Sequence, residues 1–258
     1  MKKKVFLFGL LFSLLLLCGC GVNLTSTVKL NKDFSGTRVM SCNFSSRDFH
    51  SYFKGSKEDL NKLIKESCPD ALTYTSSSSD GNDTYTFYLR FSSLDDYKKK
   101  VRDLLNFSPE ITYEYGDSPF VSGLIYKENF TSKDLMTWLY TALYEGKYID
   151  KDSSSDLWDL KSTEISFLGT TYETKDKINI DEMAYVPLSS IHIDTKTKKS
   201  GKLARVIEFD LPQQTLDQNA GKIRSYFAGN DITWENTSDG KTLCISFDAN
   251  NFSDLAQK

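Results

Sequence analysis

Eight residues, Thr84-Tyr85-Thr86-Phe87-Tyr88-Leu89-Arg90-Phe91, alternate strictly between two sides. Tyr85, Phe87, Leu89 and Phe91 form an apolar side, and Thr84, Thr86, Tyr88 and Arg90 a polar one. That period of two describes a strand with one buried face. A single strand satisfies neither its backbone nor its apolar face, so partner strands and a covering layer must come from the same chain. Both lie nearby. Val28-Lys29-Leu30 and Thr37 to Phe44 flank the turn formers of Asn31 to Gly36 and read as a hairpin. Ser56-Lys57-Glu58-Asp59 opens a helix with a capping box, Leu60, Leu63, Ile64 and Cys68 follow at helical spacing, and Pro69 ends it. Leu72 and Tyr74 start a third strand, and Ser76 to Asp83 reads as a loop around Asp80-Gly81. After Phe91, Ser93 to Asp96 caps a second helix with Leu94, Tyr97, Val101, Leu104 and Leu105 on one side.

The end of the chain repeats this order. Ile191-His192-Ile193 stands for Val28-Lys29-Leu30, Ser200-Gly201 for Ser35-Gly36, Arg205-Val206 for Arg38-Val39 and Phe209 for Cys42. A helix follows with Leu216, Ala220, Ile223 and Phe227 in line, stopped by Gly229. Ile232-Thr233-Trp234 answers Leu72-Thr73-Tyr74, Ser238-Asp239-Gly240 answers Ser79-Asp80-Gly81, and Leu243, Ile245 and Phe247 answer Phe87, Leu89 and Phe91. Shared order, not identity, carries this reading. The alternative is two unrelated modules drawn from one small structural menu. The second copy stops soon after its last strand, so its sheet is expected to lack a second covering helix. The helix around Trp138, Leu139 and Leu143 is expected to cover that sheet instead.

The expected architecture is α+β: antiparallel sheets with helices on one face, in two related hairpin–helix–strand–strand modules flanking an inserted α+β segment. The boundaries are a signal segment 1–19, a tether 20–26, a first module 27–107, a middle segment 108–189 and a second module 190–258. Within the middle segment, Ile111 to Tyr115, Phe120 to Tyr126, Glu164 to Thr171 and Lys177 to Ile180 suggest strands. Thr131 opens a helix through Leu143 that ends at Gly146, and the serine-rich stretch Asp150 to Asp156 is a loop.

The chain begins with Met1 and three lysines, and continues from Val5 to Leu17 almost wholly apolar. A charged start, a short apolar run and small closing residues describe a secretory signal, short for a membrane span. Its end, Leu17-Cys18-Gly19-Cys20, resembles the lipobox of bacterial lipoproteins. That resemblance implies cleavage before Cys20 and a diacylglyceryl thioether on its sulfur. The partner it implies is the membrane, through that lipid, on the extracytoplasmic face of the cell membrane. No second apolar run is long enough to span a bilayer. Of 32 basic residues, Lys2 to Lys4 leave with the signal, against 35 acidic ones. The remaining chain is therefore acidic and does not attract nucleic acid.

Near the start of the first module, Thr27-Val28-Lys29-Leu30-Asn31-Lys32-Asp33-Phe34-Ser35-Gly36-Thr37 resembles the opening of LppM-type domains of bacterial lipoproteins: a strand, an Asp-x-Ser-Gly turn and a second strand. Asp33 and Ser35 supply turn hydrogen bonds, and Gly36 is expected to supply a positive φ. The resemblance implies an extracytoplasmic α+β domain and carries over no catalytic residue. The membrane helix that follows such a domain in the family pattern is absent here.

Five cysteines occur. With Cys18 removed and Cys20 lipidated, Cys42, Cys68 and Cys244 remain, an odd number. Cys42 sits on an apolar strand side and Cys68 on an apolar helix side, and both are replaced in the second copy, so they are a candidate disulfide. Cys244 is expected to be a free thiol. Cys42, His50 and Asp48 can be drawn as a nucleophilic set, but Cys42 keeps phase with Met40 and Phe44 and reads as core. His192 reads as a solvent-facing strand residue. Asp150, Asp152 and Asp156 approach calcium-loop spacing, yet Lys161 stands where the bidentate Glu belongs. Gly221-Lys222 lacks the rest of a phosphate loop. No catalytic, metal or cofactor site is therefore assigned. Trp138, Tyr140, Tyr144 and Tyr148 form either a stacking platform or half-buried core. The function expected is binding or scaffolding, with a lipid- or glycan-binding pocket and an envelope enzyme using unrecognised carboxylates as alternatives.

Overall fold

The computed structural model describes residues 22–46, 53–105, 107–150 and 157–257. In chain order it opens with a hairpin, β1 (Val22–Leu30) and β2 (Gly36–Ser45), followed by helix α1 (Lys57–Ser67). A second hairpin, β3 (Thr73–Ser79) and β4 (Asn82–Phe91), and helix α2 (Leu94–Leu105) come next. The middle of the chain supplies β5 (Ile111–Asp117), β6 (Val121–Glu128), α3 (Ser132–Leu135), α4 (Thr137–Glu145), β7 (Trp158–Phe167), β8 (Thr170–Thr174), β9 (Asn179–Asp181) and β10 (Ala184–Tyr185). The last part runs β11 (Ser190–Thr197), β12 (Leu203–Pro212), α5 (Gln213–Tyr226), β13 (Asp231–Asn236), β14 (Gly240–Ala249) and α6 (Phe252–Leu255). The fold is mixed α+β with three sheets.

The chain divides into two units. The first holds the residues through 113 and 126–180, the second 114–125 and 181 onward. The middle segment therefore does not stand as a body of its own. Its hairpin β5–β6 contributes its base to one unit and its tip to the other.

The first unit is built on a sheet of order β3-β4-β2-β1-β7-β8. Every pairing in it is antiparallel except β1 with β7, which is parallel. An all-antiparallel expectation fails there, because β7 returns after a long crossover through α3 and α4. β1 starts at Val22 and pairs with both neighbours from there, so residues 22–26 are strand, not tether. The burial of Val22 and Leu24 explains it: that stretch alternates just as the rest of β1 does. The turn into β2 is held by Asp33, whose carboxylate accepts from the Ser35 N–H at 2.9 Å. The positive φ belongs to Phe34, not Gly36. Gly36 is required for a different reason: a Cβ there would lie 2.1 Å from the Lys29 carbonyl oxygen.

α1 starts at the capping box: the Ser56 hydroxyl accepts from the Asp59 N–H, and the Asp59 carboxylate accepts from the Ser56 N–H. It buries Leu60 and Ile64. α2 buries Tyr97, Val101 and Leu104. The stretch from Ser76 to Asp83 is almost entirely ladder: Ser76 to Ser79 pair with Tyr85 to Asn82. Asp80 and Gly81 both take positive φ, so two residues close the hairpin, as an Asp-Gly pair permits. The helix after Thr131 is broken at Met136 into α3 and α4. α4 packs against α1, α2 and α3, and Trp138 meets Phe87 of β4 edge-to-face at 5.4 Å. The inserted helix thus covers the first copy's sheet, not the second's.

The second unit's main sheet has the order β11-β12-β14-β13, all antiparallel. Leu211, Leu216, Ile223, Leu243 and Ile245 form its core, with Phe120, Phe209 and Phe227 packed against them. The short α6 covers Leu203 and Ala249 through Leu255. β11 is an edge strand, and Ile191 and Ile193 on it are 53% and 57% exposed. The pairings correct the residue matches between copies. Arg38 lies opposite Val28 and Leu89, whereas Arg205 lies opposite Thr195 and Phe247. With the arginines aligned, the first strand of the second copy shifts by four residues and the last by two.

Candidate functional site

Leu17, Cys18, Gly19 and Cys20, and also Asp48 and His50, lie outside the described residues. Cys42 and Cys68 are free thiols rather than a bridge. Cys42 is fully buried on the core side of β2, whereas Cys68 caps the end of α1 with its sulfur toward the Pro69 carbonyl oxygen at 3.9 Å. Burial pushes the Cys42 thiol far above its ordinary value. Burial, and then Asp70, push Cys68 up to about 11. Cys244 is a free thiol as well, also raised by burial. A raised thiol is a poor nucleophile at neutral pH. His192 is exposed and stands opposite Glu208 on β12. Gly221-Lys222 lies inside α5. Among the described residues no three His, Cys, Asp or Glu side chains are placed to hold a metal.

Most of the polar chemistry inside the first unit surrounds Arg38, which the sequence analysis did not single out. Its side chain and that of Glu128 are 1% and 0% exposed, with Nη1 2.7 Å from Oε2. Nη1 also donates to the Tyr97 hydroxyl at 2.7 Å, and Nη2 to the Ser132 hydroxyl at 2.9 Å. Tyr97 donates to Glu128 Oε1 at 2.7 Å, and Tyr126 donates to the same oxygen. Ser132 and Thr163 share a further hydrogen bond at 3.2 Å. The guanidinium also lies 5.7 Å from the centre of the Phe130 ring. Desolvation opposes the charge on Arg38, but Glu128 and the two tyrosines outweigh it and hold the guanidinium above its ordinary value. Desolvation, reinforced by Glu128, raises both tyrosines, so they remain hydroxyl donors. The cluster had a signal. Arg38 keeps phase with Met40, Cys42 and Phe44, and Glu128 with Leu124 and Tyr126. A charge in register with an apolar strand face requires a buried partner.

The cluster is sealed. A concave feature of the first unit lies elsewhere, between α1, α2 and α4. It is a groove of about 460 Å³. Leu63 and Pro69, Leu104 and Leu105, and Trp138 and Ala142 give it apolar walls. Asp103, Glu145, Thr137 and Thr141 add polar edges. The Trp138 indole N–H is buried without an acceptor. The aromatic group around it is not one platform. Tyr140 and Tyr144 stack at 6.4 Å along α4, and Tyr148 stacks on Phe53 at 5.0 Å. Trp138 alone of the four lines the groove. Such a surface can take an apolar body. Its two carboxylates favour neutral or cationic polar groups over anions.

No protein-family model matches this chain, and no curated protein is significantly similar to it.

Proposed function

We propose that this chain is a lipid-anchored protein of the extracytoplasmic face of a bacterial cell membrane. It acts by binding a ligand in the groove around Trp138. The observation that carries the binding reading is the apolar groove itself, with Trp138 in its wall. Its volume falls within the ~300–1,000 Å³ range of small-ligand sites, and its apolar walls favour a ligand with an apolar body. Binding is favoured over catalysis because the buried ion-pair cluster around Arg38 is closed to solvent.

The neutral fluorophore N-phenyl-1-naphthylamine tests the groove. Its fluorescence should rise on binding, and Trp138→Ala should weaken that binding about tenfold, or 1.4 kcal/mol. An unchanged titration in that variant rejects the site.

The anchor rests on Leu17-Cys18-Gly19-Cys20. Cells grown with an alkynyl palmitate analogue should label the protein, and Cys20→Ala should abolish both labelling and cleavage. Persistent label removes the lipobox reading. An LppM-type first module and descent of both modules from one ancestor complete the proposal. The common order strand–strand–helix–strand–strand supports the latter, with the fourth strand between second and third in each sheet.

A further inference from the structure

The second unit carries a hollow of its own, which does not depend on the Trp138 groove. α5 packs Leu216, Ala220, Ile223 and Phe227 onto its sheet. The adjacent stripe of the same helix, Asn219, Lys222 and Tyr226, is spaced three and four residues apart, so those side chains share a second face. That face forms one wall of a hollow of about 500 Å³, and Asp117 and Ser122 of the β5–β6 hairpin contribute to the opposite wall. A hollow of this size falls within the ~300–1,000 Å³ range of small-ligand sites.

We propose that this hollow binds a short neutral saccharide. Tyr226 is 56% exposed, although Phe227 beside it is turned into the core. The Tyr226 ring meets Phe227 edge-to-face at 5.0 Å and lines the hollow, so it offers an apolar plate to a ligand there. A sugar ring presents an apolar C–H face and a rim of hydroxyls that both donate and accept. The lining matches that rim: an amide at Asn219, hydroxyls at Ser122 and Ser225, an ammonium at Lys222 and a carboxylate at Asp117. Charge argues against an anion. One ammonium is offset by one carboxylate, and Tyr226 stands in the last turn of α5, where the helix dipole is negative.

The test is backbone-amide NMR on the full-length chain in a neutral detergent. Titrants are N-acetylglucosamine, methyl glucoside, methyl mannoside, chitobiose and maltose, each at about 10 mM, enough to load a millimolar site. At least one sugar should give saturable shifts confined to residues 117–122 and 219–226. Tyr226→Ala should weaken that response at least tenfold, Tyr226→Trp should keep it, and Trp138→Ala should leave it unchanged. If Tyr226→Ala disturbs the amides of β14, Asn219→Ala is read in its place. The proposal is overturned if no sugar in the set shifts these residues saturably. It is also overturned if the shifts survive both Tyr226→Ala and Asn219→Ala, or if sodium phosphate produces the same response.

Discussion

Replacing Arg38 by Met should be among the most damaging single changes in the first unit. Arg38→Met keeps most of the side-chain volume but removes three hydrogen bonds and the only cation beside Glu128 in the cluster. Glu128, with no side-chain exposure, is left with two tyrosine hydroxyls and no compensating charge. Breaking a buried ion pair from one side costs about 3–5 kcal/mol. The alternative partners are weak: Ser132 and Thr163 already bond each other, and the Glu128 side chain has no exposure to solvent. With a urea dependence of about 2 kcal/mol per molar, the midpoint should fall by roughly 2 M. The paired replacement Arg38→Met with Glu128→Leu removes both charges together. It relieves the uncompensated charge but leaves Tyr97 and Tyr126 without an acceptor at about 1–3 kcal/mol each, which offsets most of that relief. Tryptophan fluorescence under urea reads all three proteins, since Trp158 and Trp138 both lie in this unit. A loss below about 1 kcal/mol for Arg38→Met, or a double variant less stable than the single by more than the tyrosine cost, refutes the reasoning.

Gly36→Ala places a methyl 2.1 Å from the Lys29 carbonyl oxygen and should cost about 1–3 kcal/mol in urea unfolding; a neutral result means the hairpin turn can open at no cost. In the folded chain, iodoacetamide should modify Cys244 and Cys68 well before Cys42, and equal rates by mass spectrometry contradict the burial of Cys42. Hydrogen bonds from Ser56 lower Asp59, and a hydrogen bond from the Ser92 N–H, then Lys100, lower Asp96 below the ordinary 3.8. The stability these carboxylates add is complete above that value and lost as pH falls through their folded values, so Asp59→Asn should flatten the acid limb of the urea midpoint.

Local chemistry explains which parts of the fold were legible in the sequence. Strict alternation located β4, and side-chain caps located the starts of α1 and α3, because these signals depend on neighbours within a turn or two. β3 was not legible past Tyr74. A run of serines has no apolar side, and its ladder exists only because Asp80-Gly81 closes it onto β4. β7 was seen only from Glu164. Its earlier residues, Trp158 to Thr163, become strand by pairing with β1, more than a hundred residues away. The same distance hid the polar cluster. Arg38 and Glu128 are each visible as charges in an apolar register, but their pairing spans ninety positions. The groove at Trp138 lies between three helices, and no local pattern encodes that.

The two modules share an order of elements yet differ in what the middle segment gives each. In the first unit, β7 and β8 extend the sheet beyond β1, and α3 and α4 join α1 and α2. That extra layer makes a buried ion pair affordable: Glu128, Ser132 and Thr163, which satisfy or flank Arg38, all come from the middle segment. The corresponding strand of the second unit, β11, has no added neighbour in its sheet. Its arginine, Arg205, pairs with no buried acid among the described residues and donates to the Thr195 hydroxyl at 3.0 Å near the surface. An arginine at this strand position is thus compatible with the fold in either state, and the surrounding layer decides which. β11 carries Asp194 and Lys196, paired with each other, on an otherwise open edge. Charges on an edge strand are how sheets avoid uncontrolled pairing, and they offset the exposed Ile191 and Ile193. The first unit thus has β1 flanked on both sides and a polar cluster in its core, while the second keeps β11 as an edge.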